Sequence, residues 1–239
     1  PLRLVGSEMC IRDRAGAGYF LVKASTSGFE ELEQTQQKEK IKLDVPLEDQ
    51  FDGDALDNGC EVTALSMLLR YYGYHTTKNE LANELDYQPL YTESGNHGDP
   101  HLGFVGDITG GDEAMGVAVE PIAKLAKKYV GDEYQVIANE KTSFNKVMDI
   151  VASGKPVWII ATVDFQVPTN NDFLLWETDQ GSSYVTPLIH SAVITGFDRE
   201  KKVVYVNDPY GYKNRKVPWS EMKKVYQETD QQSLYLKKA

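Results

Sequence analysis

Four residues in this 239-residue chain have the types that acyl-transfer chemistry needs: Cys60, His190, Asp208 and Gln50. Cys60 stands directly after Gly59, at the head of the apolar run "CEVTALSMLLRYYG". A helix N-terminus carries unsatisfied N–H groups and partial positive charge. A thiol placed there is expected to have a lowered pKa, and its thiolate is the reactive form. Gly59 lets the backbone bend and lets a substrate come close. A lone Cys is more often a small buried hydrophobe, so Cys60 needs a partner before it means anything.

A base is the partner a thiol requires, and the chain offers four His: 75, 97, 101 and 190. His75 follows the first apolar run in a turn. His97 and His101 flank Asp99 in "HGDPH", a Gly-rich stretch with too few ligands for a metal centre and without an HExxH or CxxC companion. That segment is read as loop structure, and neither a metal nor a cofactor is expected. His190 opens "HSAVITGFDREKKVVYVNDPYG", where two β-rich runs flank a charged turn. With the turn centred near Arg199 and Glu200, cross-strand partner numbers add to roughly 398 to 400, and His190 falls opposite Asp208 or Tyr210. An even sum puts His190 and Asp208 on one face and an odd sum separates them. An imidazole beside a carboxylate is the base-and-orienter pair that activates a thiol. Gln50, ten residues before the Cys, carries an amide that can donate to an oxyanion together with the nucleophile's own N–H.

The elements that must position these groups follow from pattern. Lys42 to Gln50 reads as a short strand entering a turn-rich loop. A helix is expected from Cys60 to Tyr72, with Leu65, Leu68, Leu69 and Tyr72 on one face and Gly73 as its left-handed cap. Thr77 and Glu80 have capping-box spacing for a second helix, Lys78 to Leu85. Residues 86 to 117, with seven Gly, read as a long irregular loop. Pro121 fits the first turn of a third helix, and Ser143 to Ser153 forms a fourth. "KPVWIIATVDF" is a buried strand, and "PTNNDFLLWETDQGSSYVTP" a loop or ragged hairpin. Helices come mainly first and strands mainly last, so the expected class is α+β, helices packed on an antiparallel sheet.

Composition narrows the partners. A formal charge of -11 argues against nucleic acid. No run of 18 apolar residues is present. Residues 4 to 13, "LVGSEMCIRD", match the translation of a sequencing-library adapter, so residues 1 to 14 are read as an artefact and Cys10 with them. Cys60 is then the only thiol and no intrachain disulfide is possible. Residues 15 to 41 read as the remnant of a signal peptide or membrane anchor followed by a polar linker, and 42 to 239 as the domain.

Taken in order, "VPLEDQ…NGCEVTALSMLLRYYG", "GDPHLGFVGD", "GKPVWI" and "HSAVITGFD…VYVNDPYG" resemble the papain-fold cysteine peptidases of the bacteriocin-leader-processing type, in their stand-alone, "C-thirty-nine-like" branch. The resemblance runs from about Leu43 to Leu236. It implies a papain-like fold, Cys60 as nucleophile, His190 as general base and acid, Asp208 as the His orienter and Gln50 as oxyanion donor. Two departures stand out: the Gln-to-Cys spacing is lengthened by "FDGDALD", and Asn207 beside Asp208 is an alternative orienter. The implied protein is a secreted or surface-bound bacterial hydrolase acting on a peptide or cell-wall-derived substrate. The alternatives are a non-catalytic binding module of the same fold, or a cell-wall amidase or acyl transferase using the same groups.

Overall fold

The computed structural model of the chain describes residues 38–239. The adapter-like stretch, Cys10 and most of the expected anchor and linker lie outside the described residues. The first strand, β1 (Lys40–Lys42), already belongs to the sheet, pairing with Asp198, Phe197 and Gly196. The expected polar linker therefore ends before Lys40. A strand reading Lys-Ile-Lys turns only Ile41 inward, too little apolar pattern to stand out from a charged linker.

Five α-helices and a large antiparallel sheet form most of the domain among the described residues. Helix α1 (Cys60–Tyr71) is followed by α2 (Lys78–Glu84), α3 (Val119–Tyr129), α4 (Phe144–Ala152) and α5 (Trp219–Glu228). The local signals for the first four act as expected. Gly73 takes φ +88°, Thr77 and Glu80 exchange both capping-box bonds, Pro121 lies in the first turn of α3, and the Ser143 side chain caps α4.

The main sheet runs β11 (Tyr212–Pro218), β10 (Val203–Asp208), β9 (Ile189–Asp198), β6 (Val157–Thr162), β12 (Ser233–Lys238), β5 (Tyr134–Asn139), with β1 also on β9. One face packs Trp158, Ile160 and Val193 against Leu65, Leu68 and Leu69 of α1 and Ile122 of α3. The other packs Ile159, Ala192 and Ile194 against Val147 and Val151 of α4 and Met222 and Tyr226 of α5. Ten of the twelve α1 residues are buried, and each fully buried Leu among them contributes about 2 kcal/mol. The class is α+β, with the Cys60 helix lying against the antiparallel sheet, the papain-like layout that the motifs imply.

Two regions near Cys60 and His190 are more regular than expected. The stretch read as irregular contains a small sheet of β2 (Tyr87–Gln88), β3 (Phe104–Gly106) and β4 (Ala114–Gly116). Strands of two or three residues leave no alternation to read. Residues 174 to 185 form a regular hairpin, β7 (Leu174–Thr178) with β8 (Gly181–Val185). None of the helices among the described residues is long and apolar enough to cross a membrane.

Candidate active site

The His190 hairpin has a four-residue turn, Arg199 to Lys202, so its centre lies one position later than expected. Partner numbers add to 401 from the turn as far as Tyr205 opposite Gly196. An odd sum carried to the strand ends would put His190 and Asp208 on opposite faces. A bulge between Tyr205 and Val206 resets the sum to 400, with Val206 opposite Ile194 and Asn207 opposite Val193. The extra residue restores the parity that lets the imidazole and the carboxylate meet.

They meet in a buried pair. His190 Nε2 lies 2.8 Å from Asp208 Oδ1, and the two residues are 1% and 0% exposed. Asp208 is held by two further donors. The Tyr210 N–H donates to Oδ1 at 3.0 Å, and Arg215 Nη1 donates to Oδ2 at 2.7 Å, while Arg215 Nη2 reaches Asp164 at 2.8 Å. Burial pushes the Asp208 carboxyl up, but His190, Tyr210 and Arg215 outweigh it and hold it below the usual carboxylate range. The imidazole ring lies against Tyr210 and the edge of Phe165, with centroids 4.7 and 6.1 Å away. Because Nε2 is used by Asp208, Nδ1 is the nitrogen left for a reacting group.

Asn207 takes no part. Its side chain donates to Val45 and Pro46 carbonyls and accepts from the Asn214 N–H. One residue along the strand from Asp208, it faces the other way and ties the sheet to the segment entering the Gln50 loop.

Cys60 is the first residue of α1, with Gly59 as the N-cap. Gly59 is required by close approach, since a Cβ there would lie 2.5 Å from Leu56 Cβ. Cys60 shares a cavity of ≈ 150 Å³ with His190, Gln50, Glu61 and Tyr210. Met115 and Ile189 separate it from a second cavity of ≈ 80 Å³, walled by Ile160, Phe173 and Val185. The Gly-rich segment therefore lines the Cys60 cavity through Ala114, Met115 and Gly116, and the β7–β8 region lines the neighbouring one through Tyr184 and Val185.

The expected lowering of the thiol pKa is not found. Burial pushes the Cys60 thiol well above its ordinary value, and the Glu61 carboxylate adds to the effect, its Oε2 accepting from Sγ at 3.2 Å. A Ser191 backbone group acts in the opposite direction without reversing it. A helix terminus contributes a fraction of a charge; a full carboxylate in contact with a desolvated thiol outweighs it.

Gln50 is 1% exposed, and its Nε2 donates to the carbonyls of Leu56 at 3.2 Å and Asp57 at 2.8 Å. Its Oε1 is buried without a partner. Donation from Gln50 to an oxyanion requires one of the carbonyl bonds to be given up. The lengthened "FDGDALD" insertion is the loop that these bonds close.

Three residues that sequence reasoning did not single out belong to the site: Glu61, Arg215 and Trp158, whose Nε1 donates to the Glu61 carbonyl at 3.1 Å. Glu61 had a signal, a lone acid at a buried position of an apolar helix. Arg215 had none, since its role depends on the β10–β11 hairpin register.

"HGDPH" is split by the fold. His97 stacks on Trp176 with centroids 3.8 Å apart. His101 lies 3.1 Å from Glu120 and 3.4 Å from Glu140, the one group among the described residues with three metal-capable side chains in reach. Its pKa is raised, first by the Glu120 hydrogen bond, as an exposed ion pair requires.

Comparison with known proteins bears on the family and the fold. Residues 42–234 match the model of the Peptidase_C39 like family. An uncharacterised Bacillus subtilis (strain 168) protein, YvpB, is 43% identical over 196 residues, covering 82% of this chain and 76% of its own. The crystal structure of a Bacillus anthracis protein described as a C39-like peptidase superposes with a TM-score of 0.78 at 33% identity, covering 84% of this chain and 99% of its own.

Proposed function

Because this chain belongs to the Peptidase_C39 like family, we propose that it is a cysteine peptidase that cuts an amide bond through Cys60, His190 and Asp208. The single observation that carries the reading is the juxtaposition of Cys60 and His190 on one cavity with Asp208 bonded behind the imidazole at 2.8 Å. In the proposed cycle the Sγ proton moves to His190 Nδ1, and the sulfur electron pair attacks the substrate carbonyl carbon. The carbonyl π pair becomes an oxyanion, met by the Cys60 N–H, which as the first helical N–H has no intrahelical acceptor, and by Gln50 if it releases a carbonyl. His190 returns the proton to the leaving nitrogen as the C–N bond breaks, giving a thioester. Water then loses a proton to His190, attacks the thioester and releases the acid and the thiol. Asp208 holds the imidazole tautomer and offsets its charge.

The substrate proposed is a peptide or a cell-wall-derived peptide, met outside the cell by a secreted or surface-bound protein. A panel of peptides and peptidoglycan fragments, incubated with wild type and Cys60→Ala and read by mass spectrometry, tests this. Cleavage of peptides by wild type alone supports a peptidase. Cleavage confined to peptidoglycan fragments moves the reading to an amidase. The non-catalytic module has one observation in its favour, the hydrogen bond that ties the thiol to Glu61; it predicts no cleavage of either class.

A further inference from the structure

Glu61 has no task in that cycle, yet the fold is built around it. It is 1% exposed in the first turn of α1, where an ionised carboxylate is costly unless it is bonded. Both oxygens are bonded: Oε2 accepts from Cys60 Sγ at 3.2 Å, and Oε1 accepts from the Val117 N–H at 3.1 Å. The backbone beside it is cleared to admit it. Gly116 takes φ +90°, and a Cβ there would come 2.4 Å from Glu61 Oε1. Trp158 fixes the Glu61 carbonyl from the sheet side. No salt bridge among the described residues includes Glu61.

We propose that Glu61 is a positioning residue that holds the Cys60 proton in the substrate-free protein, in competition with His190. The site then rests as a thiol, and the thiolate forms only when the Glu61 hydrogen bond is given up or its charge is removed. The proposal rests on Cys60 being the nucleophile of the proposed reaction. In the activating step the S–H bond breaks, its electron pair stays on sulfur and the proton passes to His190 Nδ1. While Glu61 is ionised, this step creates two negative charges about one hydrogen-bond length apart, which a buried site disfavours strongly. The groups that act on this proton are Cys60 on α1, His190 on β9 and Asp208 on β10, with Tyr210 after β10 and Tyr87 on β2 also within the field of Glu61. Asp57 lines the same cavity. Burial raises the Glu61 carboxyl above its ordinary value, so it takes up a proton and loses its repulsion earlier on acidification than a free Glu.

The test is iodoacetamide alkylation against pH on the full chain, followed at the Cys60 peptide so that Cys10 does not interfere. Wild type is expected to show a midpoint above the ordinary free-thiol value of about 8.5. Glu61→Gln keeps the shape and removes the charge; its midpoint falls by about one to three units, with alkylation at pH 7.5 about tenfold faster or more. Glu61→Met moves in the same direction. A midpoint in folded Glu61→Gln equal to or above wild type overturns the proposal, with thermal melting as the check on folding. If neither variant folds, wild type and His190→Ala decide. A wild-type midpoint above about 8.5 that His190→Ala leaves in place supports Glu61 as the proton holder; a midpoint below it, or one that rises sharply in His190→Ala, overturns it. Alkylation needs no turnover, so the two readings fail separately. Faster alkylation in Glu61→Gln without peptide cleavage by any form would sink the peptidase and keep the proton holder. Cleavage with an unmoved midpoint would do the reverse.

Discussion

The two sides of the cleft are prepared differently. On the sheet side, His190 is locked: Asp208 holds Nε2, Tyr210 and Arg215 hold Asp208, and Phe165 and Tyr210 pack on the ring. On the helix side, the thiol is bonded to Glu61. In the proposed cycle the base half of the site is therefore assembled in advance, whereas the nucleophile half waits on the Glu61 hydrogen bond. The contrast teaches that orientation and protonation are separate problems. A strand pair with a bulge solves the first; burial, with a neighbouring carboxylate beside it, sets the second.

The largest way to break this contrast is to remove either reacting group. Cys60→Ala and His190→Ala are each expected to lower peptide hydrolysis by about 10⁴-fold or more, and the double variant to be no worse, because groups acting as a unit do not add. Rates additive in the double variant would show that the two sides do not work together. Removing the wiring behind the base comes next. Asp208→Ala is expected to lower kcat by about 10² to 10⁴, and Asp208→Asn by a comparable factor, since an amide has one acceptor atom where both carboxylate oxygens accept and must turn its N–H2 toward either Nε2–H or Arg215. A much smaller loss in Asp208→Asn would mean that orientation, not charge or tautomer, is what Asp208 contributes. Gln50→Ala follows, with about a 10²-fold loss in kcat and little change in KM if the amide reaches the oxyanion. A loss confined to thermal stability would leave Gln50 as the closure of its own loop through Leu56 and Asp57.

The smallest effect is on stability. The folded-state pKa of Asp208 lies below its unfolded value. Its contribution is complete above the unfolded carboxylate pKa near 3.9 and is lost as pH falls through the depressed folded value. Melting temperatures measured from pH 6 down to 2 should therefore decline less steeply below about pH 4 in Asp208→Asn than in wild type. Parallel curves would contradict the well-bonded side of the comparison.

What the sequence revealed follows the same division. Helix α1, its Gly73 end, the Thr77–Glu80 cap and the buried strand at Val157 were legible because each has a strong local cause. The His190–Asp208 pairing was legible only as a question of parity. The bulge that answers it leaves no trace in "VITGFDREKKVVYV" beyond Gly196, whose missing Cβ makes room for the Ile41 carbonyl of β1. The thiol's state was misjudged because a helix terminus was weighed without the burial of the thiol and without the next residue. Glu61 was in plain view, but its burial depends on Gly116 and Val117, more than fifty positions away. Strands β5 and β12 and helix α5 were not anticipated either; β12 pairs with β5 and β6, a non-local arrangement that local pattern does not report.

The central claim is that Cys60 forms a covalent acyl intermediate with His190 as its base. Intact-mass analysis after rapid acid quench of the protein with a reactive peptide ester tests it most directly. The account predicts an adduct of the acyl mass on Cys60 in wild type, absent from Cys60→Ala and formed far more slowly in His190→Ala. No adduct in wild type, or one that persists in Cys60→Ala, would contradict it.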